Sequence, residues 1–373
     1  MTSRIMAMDG LRGIAILLVL ACHLLEMRPE SGWLNQLSKS MWIGVDLFFV
    51  LSGFLITSNL IRTRTDAQRA RNFYARRILR IFPAYYLVVL GTVVLVWQLN
   101  PDERVVADTT GLLPALLLFT QNIVSAVSPE RPLLRELTPL WSLAVEEQFY
   151  LFWPWLVWRC RPESLCKLCL SLLAFALVFK FGMVLANAKA DAIYLLTLSR
   201  MDTLAVGAFL AAWHAAGVRP LPYWIKALPM LAAVALLALF VTSHGLRMYK
   251  GALVVALATS ATPFLFGGWV QASLSAGWWQ RSLCHPVLVF FGTYSYGLYL
   301  VHFIADAGVQ NWLRPRLALW FDGNHLSGVV AVVSMACSVS MALVLYRCIE
   351  APALRLKNRF GGLPPLRCQA RHH

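Results

Sequence analysis

The stretch Asp9-Gly-Leu-Arg12-Gly-Ile-Ala-Ile-Leu-Leu-Val-Leu-Ala-Cys-His23 decides how the chain is read. It is apolar and long enough to enter a bilayer, yet it carries Arg12 and His23. An α-helix turns about 100° per residue. The eleven steps from Arg12 to His23 therefore return to within roughly 20° of the same face, about 16 Å further along. Asp9 lies three residues before Arg12 on nearly that face. A carboxylate, a guanidinium and an imidazole thus share one stripe of an otherwise apolar helix. Ionisable groups at membrane depth are costly and face a protein interior or a wet cavity, so all three are functional candidates. The competing structural reading is an arginine anchored at the headgroups and a histidine hydrogen-bonded inside a bundle.

The rest of the chain has the same character. Of its 373 residues, 59% are hydrophobic and 14% charged, with a mean hydropathy of +0.63. A soluble domain carries about 25% charged residues, so this is read as an all-α, polytopic integral membrane protein. Apolar runs fall near 8–27, 41–61, 78–98, 139–158, 166–186, 194–215, 225–243, 250–270, 285–307 and 326–347, which predicts about ten transmembrane helices. Gly111–Val127 is apolar but short, with Pro114 inside, and reads as a re-entrant or interfacial segment. The first run reads as a retained helix, because no small-residue cleavage pattern follows it. We expect one membrane domain over 1–352 and a short basic tail over 353–373.

The formal charge of +15 does not point to nucleic acid, since the basic residues cluster in short loops between apolar runs. Seven arginines between 62 and 80 face only Asp66 and place that loop, with both termini, on the cytoplasmic side. The eight cysteines form no disulfide framework, and the lone pair Cys166 and Cys169 lacks a second pair at metal spacing, so no metal is expected.

Five further stretches put polar groups where a span would not want them. Gly44-Val-Asp46-Leu-Phe-Phe sets a carboxylate early in the second span, for which Arg12 is the obvious partner; Ser52-Gly53 behind it reads as a packing surface. Arg77 and Arg80 are three apart and so neighbours on a helix. Paired guanidinium forks suit phosphate, although a positive-inside signal explains them too. Trp141-Ser-Leu-Ala-Val-Glu146-Glu147-Gln148-Phe-Tyr150 puts Glu146 and Tyr150 on one face and Glu147 about 100° away, so at least one carboxylate lines a polar interior. Arg200 and Asp202 are two apart and do not face each other; each should pair with another helix. Tyr296-Gly-Leu-Tyr299-Leu-Val-His302 reads as an interfacial aromatic belt with a locally bonded histidine, and Glu350-Ala-Pro352 as a helix stop. A deep histidine as general base and a paired-Arg cytoplasmic entrance together suggest transfer of a group from a phosphorylated donor to an alcohol.

The ordered set of motifs resembles the acyltransferase-3 family of bacterial integral-membrane O-acyltransferases, the O-antigen, exopolysaccharide and Nod-factor acetylase type. The matching pieces run from Asp9-Gly-Leu-Arg12 and His23 through Gly44-Val-Asp46, Ser52-Gly53-Phe, Arg77-x-x-Arg80, Trp141-Ser-Leu with Glu146 and Tyr296-Gly-Leu-Tyr299-Leu-x-His302 to Glu350-x-Pro352. The resemblance implies a ten-helix domain in the cell inner membrane and acyl-CoA, with acetyl-CoA foremost, as donor substrate. It implies no permanently bound cofactor. His23 is then the essential catalytic residue, supported by Arg12 and by a carboxylate such as Asp46 or Glu146, while Arg77 and Arg80 engage the coenzyme A phosphates. Asp9, Tyr150, Arg200, Asp202, Tyr296, His302 and Glu350 are support or substrate candidates. The acceptor expected is a hydroxyl of an envelope saccharide or glycolipid. His23 either deprotonates that hydroxyl or carries the acyl group transiently. Two rivals stand beside this reading. A transporter or flippase of a lipid-linked or acylated glycan should show inverted repeats, and none is found. A non-catalytic acyl-CoA-binding subunit should tolerate loss of His23.

Overall fold

Away from water every backbone N–H and C=O must be satisfied within the chain, which leaves helices as the answer for long apolar runs. A computed structural model describes residues 3–25, 33–99, 102–128, 134–217, 223–243, 245–246 and 251–360, and all regular structure among them is helical. In order these are α1 (Ser3–Leu25), α2 (Trp33–Ser38), α3 (Gly44–Arg62), α4 (Arg69–Leu99), α5 (Glu103–Leu117), α6 (Gln121–Val127), α7 (Trp141–Arg159), α8 (Pro162–Leu185) and α9 (Ala190–Leu195). They continue as α10 (Thr197–Ala215), α11 (Tyr223–Thr242), α12 (Ala252–Ser273), α13 (Trp278–Leu283), α14 (Pro286–Thr293), α15 (Ser295–Gly308), α16 (Arg314–Leu317), α17 (Gly323–Leu345) and α18 (Ala351–Leu356).

Among the described residues six helices are long and apolar enough to cross a membrane, seven if the bent pair α14–α15 is one span. The expectation of ten exceeds this for physical reasons. α7 carries Glu146 and Glu147, and α10 carries Arg200 and Asp202, so neither suits lipid on composition. The apolar part of α11 is short, covering Ala227–Thr242. The run 285–307 bends by 73° between α14 and α15. The 111–127 stretch is two short helices, α5 and α6, broken near Phe119, whose φ of 54° lies in the left-handed region. Most of the arginines read as a loop lie in the first turns of α4 instead. Glu350-Ala-Pro352 does not stop its helix. A π-helical turn at Tyr346–Glu350 leads into α18, which tolerates Pro352 in its first turn, where no intrahelical N–H is needed. Of the expected tail, 361–373 lies outside the described residues.

Helix α10 is the hub. It packs along α3 through two glycines: a Cβ on Gly53 would sit 2.1 Å from the Leu204 carbonyl oxygen, and one on Gly207 would sit 2.0 Å from that of Val50. Small residues let backbones approach this closely. Two buried ion pairs hold α10 on either flank. Arg200 pairs with Asp46 of α3, which also accepts from Thr262 of α12. Asp202 pairs with Lys180 of α8 at 2.6 Å, and Lys180 also donates to Thr259 at 3.2 Å. Arg200 and Asp202 therefore each pair with another helix, as their spacing predicts. Asp46 does not pair with Arg12, contrary to expectation; Arg12 bonds Asp9 at 2.9 Å.

Two arginines near α4 are staples. Arg64 donates to the carbonyls of Val157 and Cys160 at the end of α7, groups a helix cannot satisfy itself. Arg69 lies 5.4 Å from the Trp158 ring centre. Beside them, the partly exposed Asp66 accepts from the Gln68 amide at 2.8 Å and the Asn72 side chain at 2.9 Å, which holds its carboxyl below the usual carboxylate range.

Candidate functional site

The two ends of the α1 stripe meet different surroundings. At the Arg12 end lies a cavity of about 90 Å³. Arg12 of α1, Arg77 and Arg80 of α4, Ser52 of α3, Glu146 and Tyr150 of α7 and Tyr296 and Tyr299 of α15 all line it. The i, i+3 spacing puts Arg77 and Arg80 on one wall, as read from the sequence. Arg77 lies 5.3 Å from the Tyr150 ring centre and 5.7 Å from that of Phe73. Neither Arg77 nor Arg80 makes an ion pair with a carboxylate among the described residues.

Glu146 is the carboxylate that faces inward. Ser52 donates to one of its oxygens at 2.6 Å and Tyr150 to the other at 3.0 Å. Ser52 is thus a hydrogen-bonding residue, and only Gly53 of that pair serves packing. Gln148 works structurally. It donates to the Phe119 carbonyl at 2.8 Å and to Asn122 at 2.9 Å, tying the α5–α6 break to α7. Tyr296 donates to the Ile81 carbonyl at 2.7 Å, fixing α15 against the arginine face of α4. These tyrosines are not an interfacial belt: Tyr299 is buried and both line the cavity, because the bend before Ser295 turns them inward.

At the other end of the stripe, His23 Nδ1 lies 3.0 Å from His302 Nε2. The rings stack with centroids 5.1 Å apart. His302 Nδ1 lies 2.9 and 3.1 Å from the carbonyl oxygens of Tyr299 and Leu298. Carbonyls only accept, so that nitrogen carries the proton. In a neutral ring Nε2 is then the acceptor, and His23 Nδ1–H must be the donor. His23 Nε2 is left with its lone pair and no hydrogen-bond partner among the described residues. Phe303 packs on both imidazoles, at 4.5 and 4.7 Å between centroids. Arg135 lies 5.1 Å from the Phe303 ring centre and pairs with Asp306 at 3.0 Å, which also accepts from Ser334 at 2.8 Å.

A thin layer separates cavity from histidines. Tyr299 donates to the Pro139 carbonyl at 2.8 Å and contacts the Ser142 hydroxyl at 2.6 Å. Its ring centre is 6.0 Å from that of His302. Neither histidine lines the cavity, so His23 and the arginine pair belong to two compartments that share α1 and α15.

The sequence candidates sort accordingly. Arg12, Arg77, Arg80, Glu146, Tyr150 and Tyr296 converge on the cavity, and Asp9 holds Arg12. His23 and His302 form the second compartment. Glu350 is buried behind the cavity: a Cβ on Gly297 would lie 2.9 Å from its carboxylate. Asp46, Arg200 and Asp202 lie in the α10 framework and do not line the cavity. Ser142, Phe303, Arg135, Asp306 and Lys180 were not singled out, since their partners are far away in sequence and none breaks an apolar pattern visibly enough.

Comparison with known proteins agrees with the motif pattern. Residues 5–346 match an acyltransferase domain family, acyltransferase-3. Peptidoglycan O-acetyltransferase OatA of Listeria monocytogenes is 29% identical over 376 residues, covering 93% of this chain and 55% of that protein. YrhL of Bacillus subtilis, named as a candidate peptidoglycan O-acetyltransferase, is 31% identical over 381 residues, covering 92% and 54%. A protein of Staphylococcus aureus strain COL, named as a candidate O-acetyltransferase, is 29% identical over 366 residues, covering 92% and 56%. The chain thus spans about half the length of the curated relatives it matches. No solved structure matches. With nearly its whole length matched to that domain, and its motifs gathered into two adjoining compartments, the chain belongs to the acyltransferase-3 family.

Proposed function

We propose that the chain is a membrane O-acetyltransferase of the cell inner membrane, moving acetyl from cytoplasmic acetyl-CoA to a hydroxyl of an envelope saccharide. Peptidoglycan is the first acceptor to test, because the Listeria relative bears that name. The chain needs no resident cofactor in this reading. Both termini lie on the cytoplasmic side, where the arginine-rich start of α4 meets the positive-inside rule. The six or seven clear spans are then completed by α7, α10 and α11 as buried or short crossings, to about ten.

The observation that carries the reading is the hydrogen-bonded His23–His302 pair, whose His23 Nε2 has no hydrogen-bond partner among the described residues, set one tyrosine away from an arginine-lined cavity. Ligand pockets for whole molecules are about 300 Å³ or more. A cavity of about 90 Å³ suits the thioester end of a long donor, with its phosphates on the arginines of the cavity wall. His23 Nε2 accepts the proton of the acceptor hydroxyl. The hydroxyl oxygen attacks the thioester carbon, the C–S bond breaks, and the coenzyme A thiolate takes the proton from the imidazolium. His302 is a positioning residue that holds the tautomer. Because the Tyr299–Ser142 layer stands between donor cavity and histidines, transient acylation of His23 Nε2 is the alternative course, with thiolate leaving first and the hydroxyl attacking second.

The test is acetyl transfer by purified protein in nanodiscs, with labelled acetyl-CoA and extracted peptidoglycan fragments or other envelope glycans. Label should reach the glycan with the native chain and not with His23→Ala. Arg77→Ala/Arg80→Ala should raise the donor concentration required. A hydroxylamine-sensitive labelled protein would select the acyl-imidazole course. Transfer undiminished in His23→Ala would refute the assignment.

A further inference from the structure

Beyond the arginine pair, the face of α4 beside the cavity gathers more positive charge than the sequence motifs account for. The π-turn at Tyr346–Glu350 folds the end of the chain back, so that α18 and the 3-10 turn Lys357–Arg359 pack on α4. This brings Lys357, some 277 residues from Arg80, among arginines. The charges that act on it most are those of Arg80, Arg77 and Arg76 of α4 and Arg12 of α1. None of the four residues Arg76, Arg77, Arg80 and Lys357 makes an ion pair with a carboxylate among the described residues. Arg76 has a buried Nε with no hydrogen-bond partner. Carboxylates stand at the edges of this group, Asp66 toward Arg76, Glu350 toward Arg80 and Glu146 and Glu147 toward Arg77, while Arg355 and Arg359 flank Lys357 on its own segment.

Cations gathered in excess of their carboxylates repel, and a lysine half out of water among them is held at a cost. Burial, reinforced by the arginines, pushes Lys357 down to about 8. Such a cluster is resolved by an anion carrying more charge than one phosphodiester. Resting on the acyl-CoA reading above, we infer that Lys357, with Arg76 and Arg80, forms a separate subsite for a phosphate monoester, the ribose 3′-phosphate of the donor. Arg77 and Arg80 grip the diphosphate nearer the cavity. A monoester carries close to two negative charges above pH 7 and suits a compact ammonium beside planar guanidinium forks.

The same chemistry is offered by anionic lipid headgroups, so the test separates them. Binding of acetyl-CoA and of 3′-dephospho-acetyl-CoA is measured in nanodiscs of purely zwitterionic lipid, for the native chain, Lys357→Met and Lys357→Arg. The native chain should prefer acetyl-CoA. Lys357→Met should lose roughly tenfold for acetyl-CoA, the scale of one charge-assisted hydrogen bond, and nothing for the dephospho donor. Lys357→Arg should keep the preference. Affinity of the native chain for acetyl-CoA should fall as pH rises above about 8, where Lys357 loses its proton, and that of Lys357→Arg should not. Equal losses for both donors, or none, would overturn the subsite. An effect of Lys357→Met that appears only in nanodiscs with acidic lipid would assign the lysine to headgroups instead and overturn it too. A native chain that binds neither donor would refute the acyl-CoA reading itself.

Discussion

Replacing His302 by phenylalanine tests the histidine pair directly. Phenylalanine keeps the ring volume and the stacking on His23 and Phe303. It removes the nitrogen that receives the His23 Nδ1–H at 3.0 Å. That bond joins two neutral rings and is worth about 1 kcal/mol net, or roughly fivefold. The larger loss is the tautomer. Without an acceptor at that point, His23 is free to rotate or to place its proton on Nε2, and each alternative takes the lone pair from the hydroxyl. General-base assistance is worth about 10² to 10⁴-fold, so His302→Phe should lower kcat by about 10²-fold. The donor KM should stay within about twofold, because the arginines lie in the other compartment. His302→Gln places an amide oxygen near the lost nitrogen and should recover most of the rate. The assay is steady-state transfer of labelled acetyl in nanodiscs, with thermal unfolding of each variant alongside. A kcat for His302→Phe within threefold of native, or a KM that rises in step with the fall in kcat/KM, would refute the positioning role.

Other consequences concern the framework and its loop. Gly53→Ala and Gly207→Ala each drive a methyl into a backbone oxygen, so the melting temperature in detergent should fall by an amount equivalent to about 1–3 kcal/mol or more; an unchanged melting temperature would mean that α3 and α10 are further apart. Arg200→Met strands Asp46 in the core and should cost about 3–5 kcal/mol, whereas joint replacement of Arg200 and Asp46 by apolar residues of similar volume should recover much of that loss. Urea titration of the single and double variants decides this, and equal losses would count against a coupled pair. Asp66→Asn removes a carboxylate whose folded range is depressed. Its stabilisation is present above the unfolded value near pH 4 and is lost as pH falls through the lower folded value. The melting difference between Asp66→Asn and native should therefore shrink on acidification below about pH 4; a difference that grows there would reverse the sign of the argument.

What the sequence revealed and what it hid divide along distance. The Asp9–Arg12 contact and the shared wall of Arg77 and Arg80 are helical-spacing facts, and both appear in the structure. That at least one of Glu146 and Glu147 turns inward followed from the cost of acids in lipid, and the structure shows Glu146 in that place. By contrast, His23 meets His302 across 279 positions and Asp46 meets Arg200 across 154. Spacing cannot rank such pairings, and Arg12 was only the arginine inside the first apolar run. Lys180 escaped notice because one lysine barely dents the apolar run from Leu168 to Leu185. The expectation of ten spans rests on apolar length, whereas the six or seven helices that are apolar enough by composition among the described residues leave out α7 and α10 for their charges. Those charges mark the helices with the most to hide from lipid. The division of the site into two compartments depends on the bend before Ser295, and no residue pattern in 285–307 announces a 73° turn.

The ion pairs that clasp α10 also carry a consequence for how the protein is made. Arg200 and Asp202 entering lipid alone would each cost about 2.5–3.5 kcal/mol. Their partners, Asp46 on α3 and Lys180 on α8, both precede them in the chain. By the time α10 leaves the ribosome, the opposite charges are already waiting in the bilayer. The helix can be received by earlier helices and spared the lipid. The two threonines of α12 that complete the network, Thr259 and Thr262, arrive last and close it. The order of synthesis thus matches the order in which each charge finds its counter-charge.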